Sequence, residues 1–272
     1  MKCAWKELLA VLPPPLRKEV HGEDLWEIRL RLGQPVQLVG PRCSRWLAYR
    51  PGQDDLNFVI NTASRYSPWT AQTMARGYIT APGGHRIGLG GEVVVHQGQV
   101  TGLRQISSLC IRVARDVEGI GKPFSNLRGS VLILGPPGAG KTTLLRDLCR
   151  EISRRETVAV VDERAELFPD GFDRGQALDV LSLCPKTEGI DMALRTLGPA
   201  SVAVDEITGE DDARALLRAG WSGVRLLATA HAWGPEDLKK RPIYRTLTEN
   251  HLFDHILICS RDKSRPMERM DI

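Results

Sequence analysis

Long hydrophobic runs are missing from this chain. No stretch approaches the ~20 consecutive apolar residues of a membrane-spanning helix, and the N-terminus has no signal-peptide core. The expectation is a cytoplasmic protein whose membrane contact, if any, is peripheral. Charge of one sign is also scarce: 37 Lys and Arg stand against 33 Asp and Glu, a formal net charge of +4. Such a balance is compatible with nucleic acid or an anionic membrane and diagnostic of neither. The basic clusters, Lys239-Lys240-Arg241 and the tail from Arg261 to Arg269, are short and lack interleaved aromatics. They read as solvated surface, so no stable nucleic-acid partner is expected. The six cysteines are scattered without C-x-x-C spacing, which argues against a disulfide framework or a zinc site. Cys110 and Cys259 lie in apolar, strand-like runs, where a thiol serves as a small core residue. Internal repeats and low-complexity segments are absent.

What is present falls into two rhythms. Residues 1–118 read as a smaller α+β domain. A short amphipathic helix from Trp5 to Leu12 is stopped by Pro13-Pro14-Pro15, and Trp26 to Leu32 alternates as a half-buried strand. A second strand, Val36 to Val39, and a helical pattern over 54–66 follow. Strand signals then run over Tyr78–Thr80, His85–Gly90, Glu92–His96 and Ser108–Ala114, with Gly90-Gly91 as a break and Gln97-Gly98-Gln99 as a hairpin turn. Residues 119–128, containing Gly119-Ile120-Gly121-Lys122-Pro123, read as a linker. From 129 to 272 strands and helices alternate. The near-continuous apolar runs Val131–Leu134, Thr157–Val161, Val202–Val204, Val224–Thr229 and Ile256–Cys259 predict an α/β domain with a parallel sheet covered on both faces. The helix after Thr142 carries Leu144, Leu145, Leu148 and Ile152 on one face and Arg146, Asp147, Arg150 and Arg154 on the other.

The chemistry is concentrated in this second half. Gly135-Pro136-Pro137-Gly138-Ala139-Gly140-Lys141-Thr142, followed by Thr143, has the G-x-x-x-x-G-K-T spacing of a phosphate-binding loop, set between a buried strand and a helix. Backbone N–H groups close around the phosphates, Lys141 reaches the β- and γ-phosphates, and the Thr142 hydroxyl completes an Mg²⁺ shell. Val202-Ala203-Val204 ends in Asp205-Glu206. There Asp205 is placed to hold Mg²⁺ through water, and Glu206 to polarise an attacking water. Acidic residues also end the strand at Asp162-Glu163-Arg164, and His231 ends Val224–Thr229, where it is placed to sense a γ-phosphate. Arg86, Arg104, Arg112 and Arg115 stud the strands before the linker. At least one of them, with Arg104 and Arg112 foremost, is expected to neutralise transition-state charge.

Across nearly its whole length the chain resembles the stage III sporulation protein AA family, relatives of the type II/IV secretion ATPases. The resemblance rests on Glu27-Ile28-Arg29-Leu30-Arg31, Ala63-Ser64-Arg65-Tyr66-Ser67, Gly77-Tyr78-Ile79-Thr80, Gly83-Gly84-His85-Arg86-Ile87-Gly88-Leu89 and Ile106-Ser107-Ser108-Leu109. It continues through the phosphate loop with Leu144-Leu145-Arg146-Asp147, then Val161-Asp162-Glu163-Arg164, Cys184-Pro185-Lys186, Ala203-Val204-Asp205-Glu206-Ile207 and Asp237-Leu238-Lys239-Lys240-Arg241-Pro242. It implies a RecA-like P-loop core in which Gly135–Thr142 is the Walker A loop and Asp162-Glu163-Arg164 the Asp box, with Glu163 catalytic. Asp205-Glu206 becomes Walker B, and Thr229-Ala230-His231 the His box. It further implies ATP and Mg²⁺ as ligands, a hexameric ring of identical subunits, and membrane proteins of a sporulation channel as partners at the mother-cell face of the forespore membrane. Two departures stand out: residues 165–176 form a short connection, and Thr208 takes a place where glycine is expected. An alternative class, a P-loop nucleic-acid-binding ATPase, lacks the appended single-strand-binding domain it would need.

Overall fold

The computed structural model describes residues 2–20, 25–40, 44–64, 74, 77–169, 171–262 and 267–271. Its two compact units are Met1–Asp116 with Pro169–Phe172, and Val117–Phe168 with Asp173–Ile272. Arg65, Tyr66 and Ser67, which carry part of the resemblance and the end of the 54–66 helix, lie outside the described residues.

The N-terminal unit is an antiparallel sheet backed by helices. Its strands are β1 (Lys2–Cys3), β2 (Glu27–Arg31), β3 (Gln37–Val39), β4 (Ser44–Trp46), β5 (Tyr78–Thr80), β6 (Arg86–His96), β7 (Gln99–Arg112) and β8 (Arg115–Asp116). Six of them pair in the order β4-β3-β2-β7-β6-β5, while β1 pairs with β8. The period-two alternation read along β2 is real: Ile28 and Leu30 are buried, and Glu27, Arg29 and Arg31 face outward. Helices α1 (Trp5–Val11), α2 (Pro14–Val20) and α3 (Gln53–Ala63) cover the inner face with Leu8, Leu16, Leu56 and Val59. The proline run does not simply end a helix. Pro14 opens α2, because a proline in the first turn forfeits no intrahelical hydrogen bond. Gly90-Gly91 does not break the strand either. It is a bulge, with a register shift between Gly90 and Glu92 inside a continuous β6.

The C-terminal unit holds β9 (Val131–Leu134), α4 (Lys141–Ile152), β10 (Val158–Asp162), β11 (Leu178–Ser182), α5 (Lys186–Thr196), β12 (Ser201–Val204) and α6 (Glu210–Trp221). After these come β13 (Arg225–Ala230), α7 (Pro235–Lys240), α8 (Pro242–Glu249), β14 (His255–Ile258) and β15 (Glu268–Asp271). The sheet order is β11-β10-β12-β13-β9-β14-β15. Every pairing is parallel except β14 with β15. Two strands of this sheet escaped the sequence pattern. β11 is partly exposed and weakly apolar, and β15 is the end of the basic tail read as solvated surface. β15 is an edge strand: its backbone ladder and the contact of Asp271 with His255 Nδ1 at 2.6 Å hold it, and its side chains stay exposed.

α4 is buried almost all round, against the expectation of one polar face. Asp147 accepts the Gly121 N–H at 2.7 Å and an Arg150 N–H at 2.9 Å. A Cβ on Gly121 would lie 2.4 Å from the Leu148 backbone nitrogen, so only glycine lets that segment cross the helix. Arg146 donates to the Leu167 and Glu166 carbonyls, and Arg150 to the Asp173 carbonyl at 3.0 Å. Charges at these positions satisfy the backbone of the short connection after β10, which has no sheet ladder of its own.

Candidate nucleotide site

Parallel strands deliver their carboxyl ends to one edge of the sheet. Gly135, His231, Asp205 and Glu163 follow β9, β13, β12 and β10 directly, and these strands are neighbours through the pairs Leu134 with Ala230, Ala228 with Val204, and Val204 with Val161. The strand carrying His231 lies between the phosphate-loop strand and the strand carrying Asp205. Its tip can therefore touch both.

The phosphate loop takes the backbone its glycines permit. Gly138 and Gly140 have φ of 76° and 94°, and Gly135 has φ of 154°. A Cβ on Gly135 would meet the Cys259 carbonyl at 2.6 Å. Pro136, Pro137, Ala139 and Gly140 complete the loop, Lys141 is the first residue of α4, and Thr143 sits half-buried in its first turn. Lys141 is itself buried, and its ammonium donates to the Pro136 carbonyl at 3.1 Å and to His231 Nδ1 at 3.0 Å. Burial pulls this ammonium below the usual lysine range, while the Asp205 and Glu206 carboxylates oppose that pull.

These contacts assign the His231 tautomer. An ammonium can only donate, so Nδ1 accepts, and Nε2–H faces Glu206 Oε1 at 3.1 Å. The Gly135 carbonyl, 3.4 Å from Nδ1, is the weaker competitor. Asp205 is held from both sides: Oδ2 accepts the Thr142 hydroxyl and Oδ1 the Thr229 hydroxyl, each at 2.8 Å. Thr229 Oγ1 also accepts the Glu206 N–H at 2.8 Å. Glu206 has φ of 45°, a left-handed conformation that is strained for glutamate and marks a constrained position.

At the next strand tip, Asp162 does not face the cavity as a free acid. Its carboxylate accepts the N–H groups of Glu166, Leu167 and Phe168, which closes the short connection noted in the sequence. Burial nonetheless pushes the Asp162 carboxyl up, against those backbone donors. Glu163 Oε2 lies 2.5 Å from Lys186 Nζ. A cavity of about 60 Å³ is lined by Thr142, Asp162, Glu163, Arg164, Glu166, Lys186, Asp205 and Glu206. No group of three or more His, Cys, Asp or Glu that could hold a metal occurs among the described residues. One hydroxyl beside one carboxylate, Thr142 with Asp205, instead suits Mg²⁺, which takes few protein oxygens and completes its shell with water and phosphate.

Sequence reasoning gave no site role to Lys186, Asp212 or Arg261, and named Arg164 only within the Asp box. Arg164 approaches Glu206 at 3.9 Å, and Lys186 neutralises Glu163. Asp212 fixes Thr208, whose N–H and hydroxyl both donate to Asp212 Oδ2, at 2.8 and 2.9 Å. That use of the hydroxyl explains why threonine serves in place of the expected glycine. Arg261, read as part of a solvated tail, donates to the Pro137 carbonyl of the loop at 3.0 Å. The acidic first turn of α6 was a readable cue for Asp212, whereas no periodicity marks the others.

The arginines proposed for charge neutralisation belong to the N-terminal unit. Arg104 pairs with Glu92 at 2.5 Å, Arg112 lies 3.8 Å from Glu27, Arg86 stacks 4.1 Å over the Tyr78 ring, and Arg115 donates to the Leu25 carbonyl. Exposed pairs of this kind hold their partners weakly.

The comparisons bear on the fold and the family. Among solved structures, the ATPase DotB of Legionella pneumophila superposes with a TM-score of 0.60 at 17% identity, covering 90% of this chain and 76% of that one. The pilus retraction motor PilT, solved with bound ADP, gives a TM-score of 0.64 at 14% identity, over 89% and 76%. At those identities the likeness establishes the fold, the RecA-like α/β architecture of secretion ATPases. The Stage III sporulation protein AA of Bacillus subtilis (strain 168) is 38% identical across 94% of this chain and 91% of its own length. The profile described as "Sporulation stage III, protein AA" matches residues 8–269. Loop, carboxylates and histidine thus sit in a chain that belongs to the sporulation stage III protein AA family.

Proposed function

We propose that this chain binds ATP with Mg²⁺, cleaves the terminal phosphate, and uses the energy as a homo-hexameric motor for a membrane-bound sporulation channel. One observation carries the reading: Lys141, Thr142, Asp205, Glu206 and His231 form a single chain of contacts at the sheet edge. A structural glycine turn has no need of it. In this reading the Lys141 ammonium exchanges the Pro136 carbonyl and His231 for β- and γ-phosphate oxygens. Thr142 and Asp205 would give up their mutual hydrogen bond to hold the cation, Asp205 through water. Bound Mg²⁺ would supply charge neutralisation across the β- and γ-phosphates. Glu206, oriented by His231 Nε2–H and by its own strained backbone, holds the attacking water. Glu163, anchored at the neighbouring tip, adds negative charge on the same side. The likeness to DotB and PilT supports a motor of the secretion type, and the family supports its setting in sporulation. No helix among the described residues is long and apolar enough to cross a membrane, so coupling to the channel proceeds through partner proteins in this reading.

His231→Ala removes both the Nδ1 acceptor of Lys141 and the Nε2–H on Glu206. Steady-state hydrolysis is expected to fall about 10- to 100-fold, while fluorescent-ADP titration shows affinity changed by less than about threefold. An unaltered rate would return His231 to a packing role. The ring reading is tested by mixing Glu206→Gln subunits with subunits carrying Arg104→Ala and Arg112→Ala. Recovery of activity in the mixture is expected if those guanidinium groups act across a subunit boundary. Absence of recovery, with each homogeneous sample inactive, assigns them to their own subunit.

A further inference from the structure

We propose that Lys186 is a positioning residue that holds Glu163 in the site and ties its strand tip to the loop after β12, a role that rests on the hydrolytic reading above. Lys186 is the first residue of α5. A cation there meets the positive end of the helix and is disfavoured even at the surface. Lys186 is moreover 6% exposed, and burying an ammonium is costly unless it is paired. Two local rules are thus broken at one position, as happens where function sets the residue.

The compensation is specific. Lys186 Nζ lies 2.5 Å from Glu163 Oε2 and 3.6 Å from Asp212 Oδ2. That same Asp212 oxygen receives both the N–H and the hydroxyl of Thr208. Thr208 stands two residues beyond Glu206, on the connection that carries the left-handed backbone. One ammonium therefore links the tip of β10, the start of α6 and the exit from β12. The need for it follows from the cavity lining: Asp162, Glu163, Glu166, Asp205 and Glu206 supply carboxylates, and Arg164 and Lys186 the cations. Without Lys186, repulsion from the neighbouring carboxylates turns Glu163 toward solvent, and Asp212 loses its countercharge. Both partners of Lys186 are carboxylates of the protein, so its effect on the reaction passes through them.

The test uses the full chain in five forms: wild type, Lys186→Met, Lys186→Arg, Glu163→Gln and the double variant Lys186→Met with Glu163→Gln. Hydrolysis of Mg-ATP, fluorescent-ADP affinity and thermal unfolding are measured on each. The expected result is a kcat lowered about 10- to 100-fold in Lys186→Met with KM within about twofold. Most of that loss should be regained in Lys186→Arg. The double variant should be no slower than Glu163→Gln alone, because the two groups act as one unit. If Lys186→Met does not fold, Lys186→Gln, which keeps a donor without the charge, takes its place under the same criteria. A folded, uncharged variant with wild-type kcat overturns the proposal, as do losses that multiply in the double variant. Wild-type protein inert toward Mg-ATP would sink the hydrolytic reading and this role with it; an active wild type beside unaffected Lys186 variants would sink this role alone.

Discussion

Lys141→Ala is expected to weaken ATP and ADP binding by at least about 30-fold while leaving the protein folded. The ammonium is the cation aimed from the loop into the phosphate position, and it is already desolvated before any nucleotide arrives. A pre-desolvated charge meets a phosphate without a further hydration cost, so its removal forfeits a charge-assisted contact at full strength. Truncating one side of such a pair costs about 2–5 kcal/mol, or roughly 30- to several-thousand-fold in affinity. The fold should tolerate the change. Of the groups released, His231 is half-exposed and can turn Nδ1 to water. Calorimetric titration with Mg-ATP, set beside thermal unfolding with and without nucleotide, reads both parts. Wild-type affinity in a folded Lys141→Ala protein would end the assignment of Gly135–Thr142 as a nucleotide site.

Glu206→Gln should separate binding from cleavage. A glutamine oxygen can still accept the His231 Nε2–H, and the backbone N–H still reaches Thr229, so the loop geometry survives the change. What is lost is the negative charge that draws a proton from the attacking water, an effect of about 10²- to 10⁴-fold in rate. ATP affinity should equal or exceed that of the wild type, since the carboxylate repels the γ-phosphate in the ground state. Single-turnover hydrolysis with nucleotide quantified in the bound fraction would show ATP retained uncleaved. Equal turnover in the variant would move the base elsewhere, and Glu163, at the adjacent strand tip, is the next candidate to substitute.

The legibility of this molecule tracks the range of the interactions involved. Strand β9, the glycine loop and the start of α4 were readable because the turn needs glycine locally and the flanking apolar periods are strong. Asp205, Glu206 and His231 were readable as strand-tip residues for the same reason. Strands β11 and β15 were not, since their side chains are partly or wholly exposed and leave only a weak apolar period. The charged side of α4 misled. Arg146, Asp147 and Arg150 look like a solvated face in one dimension, but they are buried on the backbone of segments more than 15 residues away in sequence. Lys186 was invisible as a site residue because its partners, Glu163 and Asp212, come from two other elements, 23 residues before it in one case.

From its residues alone this protein was bound to present a phosphate loop and acidic strand ends on a parallel α/β sheet. Hydrophobic period and glycine placement act over a few residues and are therefore legible in one dimension. Strand order was settled only in three dimensions. Because β13 inserts between β9 and β12, one imidazole spans Lys141 and Glu206, and one threonine hydroxyl braces both Asp205 and the backbone of Glu206. Interchangeable apolar strands carry no local signal for who neighbours whom. That choice comes from packing two helical layers against the whole sheet at once, and it converts a set of motifs into a connected site.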